Sequence, residues 1–185
     1  MPDSRVHRIV VTGAPGSAKT DFVERLKEES PLAEFLFLEE LARVILSETP
    51  QIRWDKTAMH REIYTRQVAR EVSAGKRSFV TDRGTVDAFA FHPESMYEVD
   101  TTLEKEYRRY TLVIQLGSAA ALGEVYYKRD EVRRETVPEA LDIEAAIRRV
   151  WGGHPNYAFV AAHPDLAEKY ARFRRLILKQ VKEPY

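Results

Sequence analysis

Eight consecutive residues, Gly13-Ala14-Pro15-Gly16-Ser17-Ala18-Lys19-Thr20, carry the groups that a phosphate chain requires. Glycines let backbone N–H groups approach anionic oxygens, a lysine adds a point charge, and a threonine hydroxyl can ligate a metal. The spacing is that of a phosphate loop, except that Ala18 replaces the last glycine of the pattern. An apolar run ends at Gly13 and an amphipathic segment begins at Lys19, the context in which loop amides and a helix N-terminus solvate phosphate together. Lys19 is expected to reach the β- and γ-phosphates of ATP or GTP, and Thr20 to bind Mg²⁺. The Ala18 methyl is tolerated at the entry to the helix if φ is negative there. The competing reading is a glycine-rich turn that binds nothing.

Other ionisable residues fall where they can serve the same chemistry. Asp82-Arg83-Gly84 follows a third apolar run at 78–81. Asp82 is placed to orient Mg²⁺ and Arg83 to hold a phosphoryl group or a substrate anion; alternatively, Asp82 caps a helix and pairs with Arg83. Glu40 leaves the second run and is read either as the base that takes a proton from an attacking hydroxyl or as a first-turn helix carboxylate. Arg129 and Arg133 share a helical face at their spacing, which suits a lid over the triphosphate across about 118–137 or a charged surface helix. Three of the five histidines precede proline and are expected to shape turns. His163 follows the fifth run and is a candidate contact for the nucleotide base.

These groups need a scaffold that brings them to one edge. Runs at 8–12, 34–38, 78–81, 112–116 and 157–161 are almost continuously apolar, as strands covered on both faces are. Helical spacing occupies 19–29, 41–47, 57–74, 103–110, 138–150 and 165–182, with Gly75 a plausible end to the third. The alternation predicts an α/β fold, a three-layer sandwich with a parallel, doubly wound sheet. Stretches 48–56 and 91–102 are the least regular and are expected to form loops on the substrate side.

A chain of 185 residues fits one domain, and no linker or repeat divides it. The 29 Lys and Arg residues balance 29 Asp and Glu, so no net field draws nucleic acid or an anionic membrane. Four Arg-Arg pairs, at 108–109, 133–134, 148–149 and 174–175, are expected mostly on solvated helix faces. The absence of cysteine excludes disulfides and a thiol nucleophile, in keeping with a cytoplasmic location. The polar N-terminus lacks a signal segment, and no apolar run approaches the roughly 20 residues of a membrane helix.

Taken together, the residues at 11–20, Glu40 with Ala42 and Arg43, the segment 82–91, Arg133 with Glu135, and 151–155 resemble an AAA-type ATP/GTP-binding family. That family groups nicotinamide riboside kinase-like proteins with GTP-binding channel-trafficking proteins. The resemblance covers about residues 8–180, and its Asp-Arg-Gly-x-x-Asp segment is the most specific part. It implies a P-loop kinase-like fold of five parallel strands with a lid. It also implies phosphate and Mg²⁺ roles for Lys19 and Thr20, a metal-side acid at Asp82 and a lid residue at Arg133. Its members include small-molecule kinases, hydrolases and nucleotide-controlled binding proteins, so the acceptor stays open. The reading favoured is a Mg²⁺-dependent kinase for a small hydroxyl compound, with a nucleotide-gated regulator or a non-hydrolysing binder as alternatives. A Ras-like guanine motif is excluded, because Asn156 is the only asparagine.

Overall fold

The apolar runs become strands because each is covered by helices on both sides. The computed structural model describes residues 5–129 and 134–182. Strands β1 (Arg8–Gly13), β2 (Leu36–Leu38), β3 (Phe79–Asp82), β4 (Leu112–Leu116) and β5 (Tyr157–Val160) form one parallel sheet in the order β2-β3-β1-β4-β5. Central β1 pairs with both β3 and β4, so that Val11 lies opposite Asp82 on one side and Ile114 on the other. The helices are α1 (Lys19–Leu26), α2 (Leu41–Glu48), α3 (Lys56–Ser73), α4 (Asp87–Phe91), α5 (Ser95–Glu98), α6 (Leu103–Tyr107), α7 (Val137–Trp151) and α8 (Leu166–Lys182).

Strand alternation sends neighbouring side chains to opposite layers. Ile9, Val11, Ile114 and Leu116 face α1 and α8, where Phe22, Leu26, Phe173 and Ile177 are buried against them. Val10, Phe79 and Val113 face the other layer and meet Phe89, Ile147 and Trp151. Trp151 has no exposed surface and packs its ring against Tyr107 and Tyr110 at 6.1 and 5.5 Å. Truncating such a side chain to alanine typically costs about 3–5 kcal/mol.

The helix boundaries have local causes. Asp55 accepts a bond from the Ala58 amide at 2.9 Å and so starts α3. Thr136 and Glu139 form a reciprocal capping box that starts α7. Gly75, at φ +58, takes the left-handed turn that follows α3, as its type suggested. The first helix ends at Leu26 rather than continuing to 29, because a 3-10 turn at Ser30–Leu32 takes over with Pro31 near its start. The stretches expected to be irregular contain a 3-10 turn at Pro50–Trp54 and helix α5. These elements are too short to display a 3.6-residue period in the sequence.

The described arginines of the four pairs lie mostly exposed, as expected, and several of them also have partners in the fold. Arg109 meets Glu71 at 3.0 Å, Arg148 lies over the Phe159 ring at 3.9 Å, and Arg174 meets Glu29 at 2.7 Å. Among the described residues, no helix is long and apolar enough to cross a membrane.

Candidate functional site: a phosphate loop joined to a second cavity

All strands are parallel, so the loops leaving β1, β2 and β3 gather at one edge of the sheet. The β1–α1 loop curls back on itself through a bond from the Ser17 amide to the Ala14 carbonyl at 3.2 Å. A side chain at Gly13 would lie 2.8 Å from the Leu116 carbonyl, so only glycine fits there. Gly16 has φ +79, and a Cβ on it would touch the Tyr127 ring at 2.8 Å. Ala18 departs from expectation: its φ is +64, not negative. The chain enters α1 through a left-handed residue, a conformation that glycine adopts freely and alanine does not. A cavity of about 380 Å³ lies over the loop, lined by residues 13–21 together with Glu40, Arg43, Arg83 and Glu135.

Lys19 and Thr20 open α1 on this cavity. Thr20 is exposed, whereas Lys19 is buried and bonds to the Asp82 carboxylate at the end of β3. Burial pushes the Asp82 carboxyl above its ordinary value, against the opposing pull of the Lys19 charge. Asp82 is thus engaged with the loop lysine, not with a helix cap.

Arg83 follows at φ +69 in a second left-handed conformation. Its guanidinium meets Glu40 at 2.9 Å and Asp87 at 3.3 Å, and lies 5.1 Å from the Phe91 ring centre. Glu40 caps no amide with its side chain, although it stands just before α2. Burial works to raise the Glu40 carboxyl, but Arg83 and Lys19 outweigh it and hold it at about 2. Asp87 is a buried hub: it also accepts bonds from the Thr12 hydroxyl, the Gly84 amide at 2.8 Å and the Trp151 indole at 3.2 Å.

Four residues that sequence reasoning passed over complete the surroundings. Lys169 of α8 is buried and donates to the carbonyls of Ser17 and Gly117 at 2.8 and 2.6 Å, fixing the back of the phosphate loop. Burial lowers its ammonium to about 8. The Ser118 hydroxyl donates to the Pro15 carbonyl at 2.5 Å, holding the same loop from the end of β4. Gln67 of α3 donates to Glu71 at 2.6 Å and Thr81 at 3.0 Å, beneath Arg83. His60, two turns before Gln67 on the same face of α3, borders a second cavity.

That second cavity, about 400 Å³, shares Pro15, Glu40, Arg83 and Glu135 with the loop cavity and runs on past Lys56, Met59, His60, Ile63 and Phe91. The spacing 56, 59, 60, 63, 67 is a single face of α3, and this is the signal that could have marked the helix as a cavity wall.

Arg129 and His163, two other sequence candidates, line neither of these cavities. Arg129 is described and exposed, and its charge acts on Glu139. Arg133 lies outside the described residues. His163 follows β5, but its ring nitrogen receives the Asp165 amide at 3.1 Å, and it does not line the loop cavity. Among the described residues, no three His, Asp or Glu side chains form a metal cluster. A Mg²⁺ ion bound through a triphosphate needs only one or two protein ligands, and the exposed Thr20 and the under-solvated Asp82 suit that requirement.

A sequence profile of an AAA domain family matches residues 8–169, with the phosphate loop near its start. The chain belongs to that family. Among solved structures it is similar to deoxyadenosine kinase from M. mycoides with the products dCMP and a flexible dCDP bound, at 11% identity and TM-score 0.65. It is also similar to the same enzyme with dATP, at 10% identity and TM-score 0.60. In both cases the match covers 93% of this chain and 99% of the other. No curated protein matches. The AAA-family chain therefore has a P-loop kinase-like fold, as the family resemblance implied, and the parallel sheet that the alternating strands and helices predicted.

Proposed function

We propose that the protein is a kinase that moves the γ-phosphoryl group of ATP or GTP onto a hydroxyl of a small, nucleoside-like acceptor. The observation that carries this reading is the junction of the two cavities at Glu40 and Arg83. One chamber has the groups for a triphosphate, and the other has room for a second substrate reaching the same point. The similar structures are deoxyadenosine kinases holding dCMP with dCDP, or dATP, which supports an acceptor of that kind.

On triphosphate binding, the Lys19 ammonium turns from Asp82 to the phosphate oxygens. That exchange leaves the Asp82 carboxylate and the Thr20 hydroxyl to hold Mg²⁺, which neutralises triphosphate charge when bound. Arg83, fixed by Glu40 and Asp87, presents its remaining N–H groups to the phosphoryl group in transit. The exposed Arg129 would add positive charge from the solvent side, and Arg133 would serve as the lid residue that the family resemblance implies. The acceptor oxygen forms a bond to phosphorus as the bond to the bridging β,γ-oxygen breaks, releasing the nucleoside diphosphate. The hydroxyl proton passes to Glu40. A carboxylate held at about 2 is a weak base, and it suits a loose transition state, in which the hydroxyl is strongly acidified only after phosphorus has largely transferred.

A purely nucleotide-gated protein has no need of the second cavity. The test is a transfer screen with ATP and with GTP against nucleosides and small alcohols, repeated with Glu40→Gln. Acceptor-dependent transfer is expected to fall about 10²-fold in the variant, while acceptor-free hydrolysis stays level. Hydrolysis that no acceptor stimulates would leave the regulatory reading in its place.

A further inference from the structure

The acceptor cavity has two chemically different parts. The part shared with the phosphate loop carries Glu40 and Arg83; the rest presents Met59, Ile63, Ala88 and Phe91, with the ring of His60 among them. His60 is 9% exposed, and among the described residues its Nδ1 is buried without a hydrogen-bond partner. Buried polar atoms in folded proteins nearly always have partners, and one left over beside a cavity marks a contact that a ligand can complete. The His60 ring lies within 6° of parallel to Phe91, with centroids 6.4 Å apart, and stacks on His92 at 5.6 Å. Burial lowers its pKa to about 4, helped by His92 and Lys56. The ring is therefore neutral at physiological pH and offers one donor and one acceptor.

A sugar or polyol entering this part would set hydroxyls against the apolar side chains of Met59, Ile63, Ala88 and Phe91, with Lys56 and Gln67 as polar groups besides His60. Lys56 lines this part as well, but the imidazole itself is neutral and those four neighbours are apolar. An uncharged aromatic heterocycle suits that lining, since its faces are apolar and its edge carries polar atoms. We propose that His60 is a specificity-determining residue that hydrogen-bonds the edge of such a ring, the base of a nucleoside-type acceptor whose hydroxyl end reaches Glu40. This inference rests on the kinase reading for the position of the hydroxyl, but its binding claim is separable.

Calorimetry with adenosine, cytidine and methyl riboside, in the presence of a non-hydrolysable ATP analogue, tests it. Methyl riboside keeps the sugar and lacks the base. At least one nucleoside is expected to bind about tenfold or more tightly than methyl riboside. His60→Phe keeps a ring against Phe91 but removes both nitrogens, and should erase that preference while leaving the affinity for the ATP analogue unchanged. His60→Asn restores a polar atom near the Nδ1 position and should recover most of the preference. Three results would overturn the proposal: no preference in the wild-type protein, a preference that survives His60→Phe, or equal losses in the Phe and Asn variants. The last would mark a packing role. Preferential binding lost in His60→Phe but never followed by transfer would uphold His60 and remove the kinase reading. Transfer to an acceptor with an unchanged KM in His60→Phe would do the reverse.

Discussion

A methyl group at a left-handed backbone position costs about 1 kcal/mol relative to glycine. Ala18, at φ +64, bears that cost at the entry to α1. Ala18→Gly is therefore expected to raise the urea midpoint by an amount worth roughly 0.5–1 kcal/mol, with triphosphate affinity equal or higher. Lys19 poses a different problem, because it and Asp82 are a buried pair, each side chain 8% exposed. Lys19→Ala should abolish triphosphate binding and also destabilise the fold by about 3–5 kcal/mol, since Asp82 is left charged and alone. Lys19→Met combined with Asp82→Asn should recover most of the stability and none of the binding. Recovery of binding in that double variant would sink the assignment of the lysine to the phosphates. The loop residues were legible from their order alone, since the pattern tolerates one missing glycine when strand and helix flank it. The sign of φ at Ala18 was not, because a residue's type biases its backbone without fixing it. His60 was hidden for another reason: nothing in a single sequence says which face of α3 opens on a cavity.

Between elements, Asp87 joins β1, the turn that follows β3, and α7 through Thr12, Arg83 with Gly84, and Trp151. Every one of those partners donates. Asp87→Asn turns one acceptor oxygen into a donor facing donors, leaving buried groups unpaired at about 1–3 kcal/mol each. We expect a marked fall in thermal midpoint and a loss of ordered Arg83, visible as a weaker dependence of transfer on acceptor. The five strands were legible because a doubly covered strand is apolar throughout. Helices α4 and α5 were not, since five and four residues show no period. The segment 82–91 was recognised as a motif, but a motif does not reveal that its second aspartate is structural cement and its arginine the group in the cavity.

For the molecule as a whole, acid sensitivity follows from two groups that act in the same direction. His60 titrates near 4 in the fold against 6.5 when unfolded, so the unfolded chain takes up its proton first and stability falls as pH drops through that interval. Glu40, at about 2 against 4.5, continues the loss at lower pH. Asp82 and Glu71, both raised by burial, oppose this trend above their ordinary values. Urea midpoints measured from pH 7 to 4 should therefore decline in the wild-type protein, and more shallowly in His60→Phe. Identical slopes would mean that the imidazole is as easily protonated in the fold as outside it.

The bond from Lys169 to Ser17 spans 152 positions of sequence. Closing so long a loop is among the slow steps of folding, because its entropy is spent before any contact rewards it. The strand and helix around the phosphate loop can form early, but the Ser17 carbonyl finds its cation only once α8 has docked. Competence to bind nucleotide should thus be acquired late. In a refolding experiment, a fluorescent triphosphate analogue would report a signal that lags behind the recovery of helix content, and Lys169→Met would blunt its final amplitude without slowing the earlier phase.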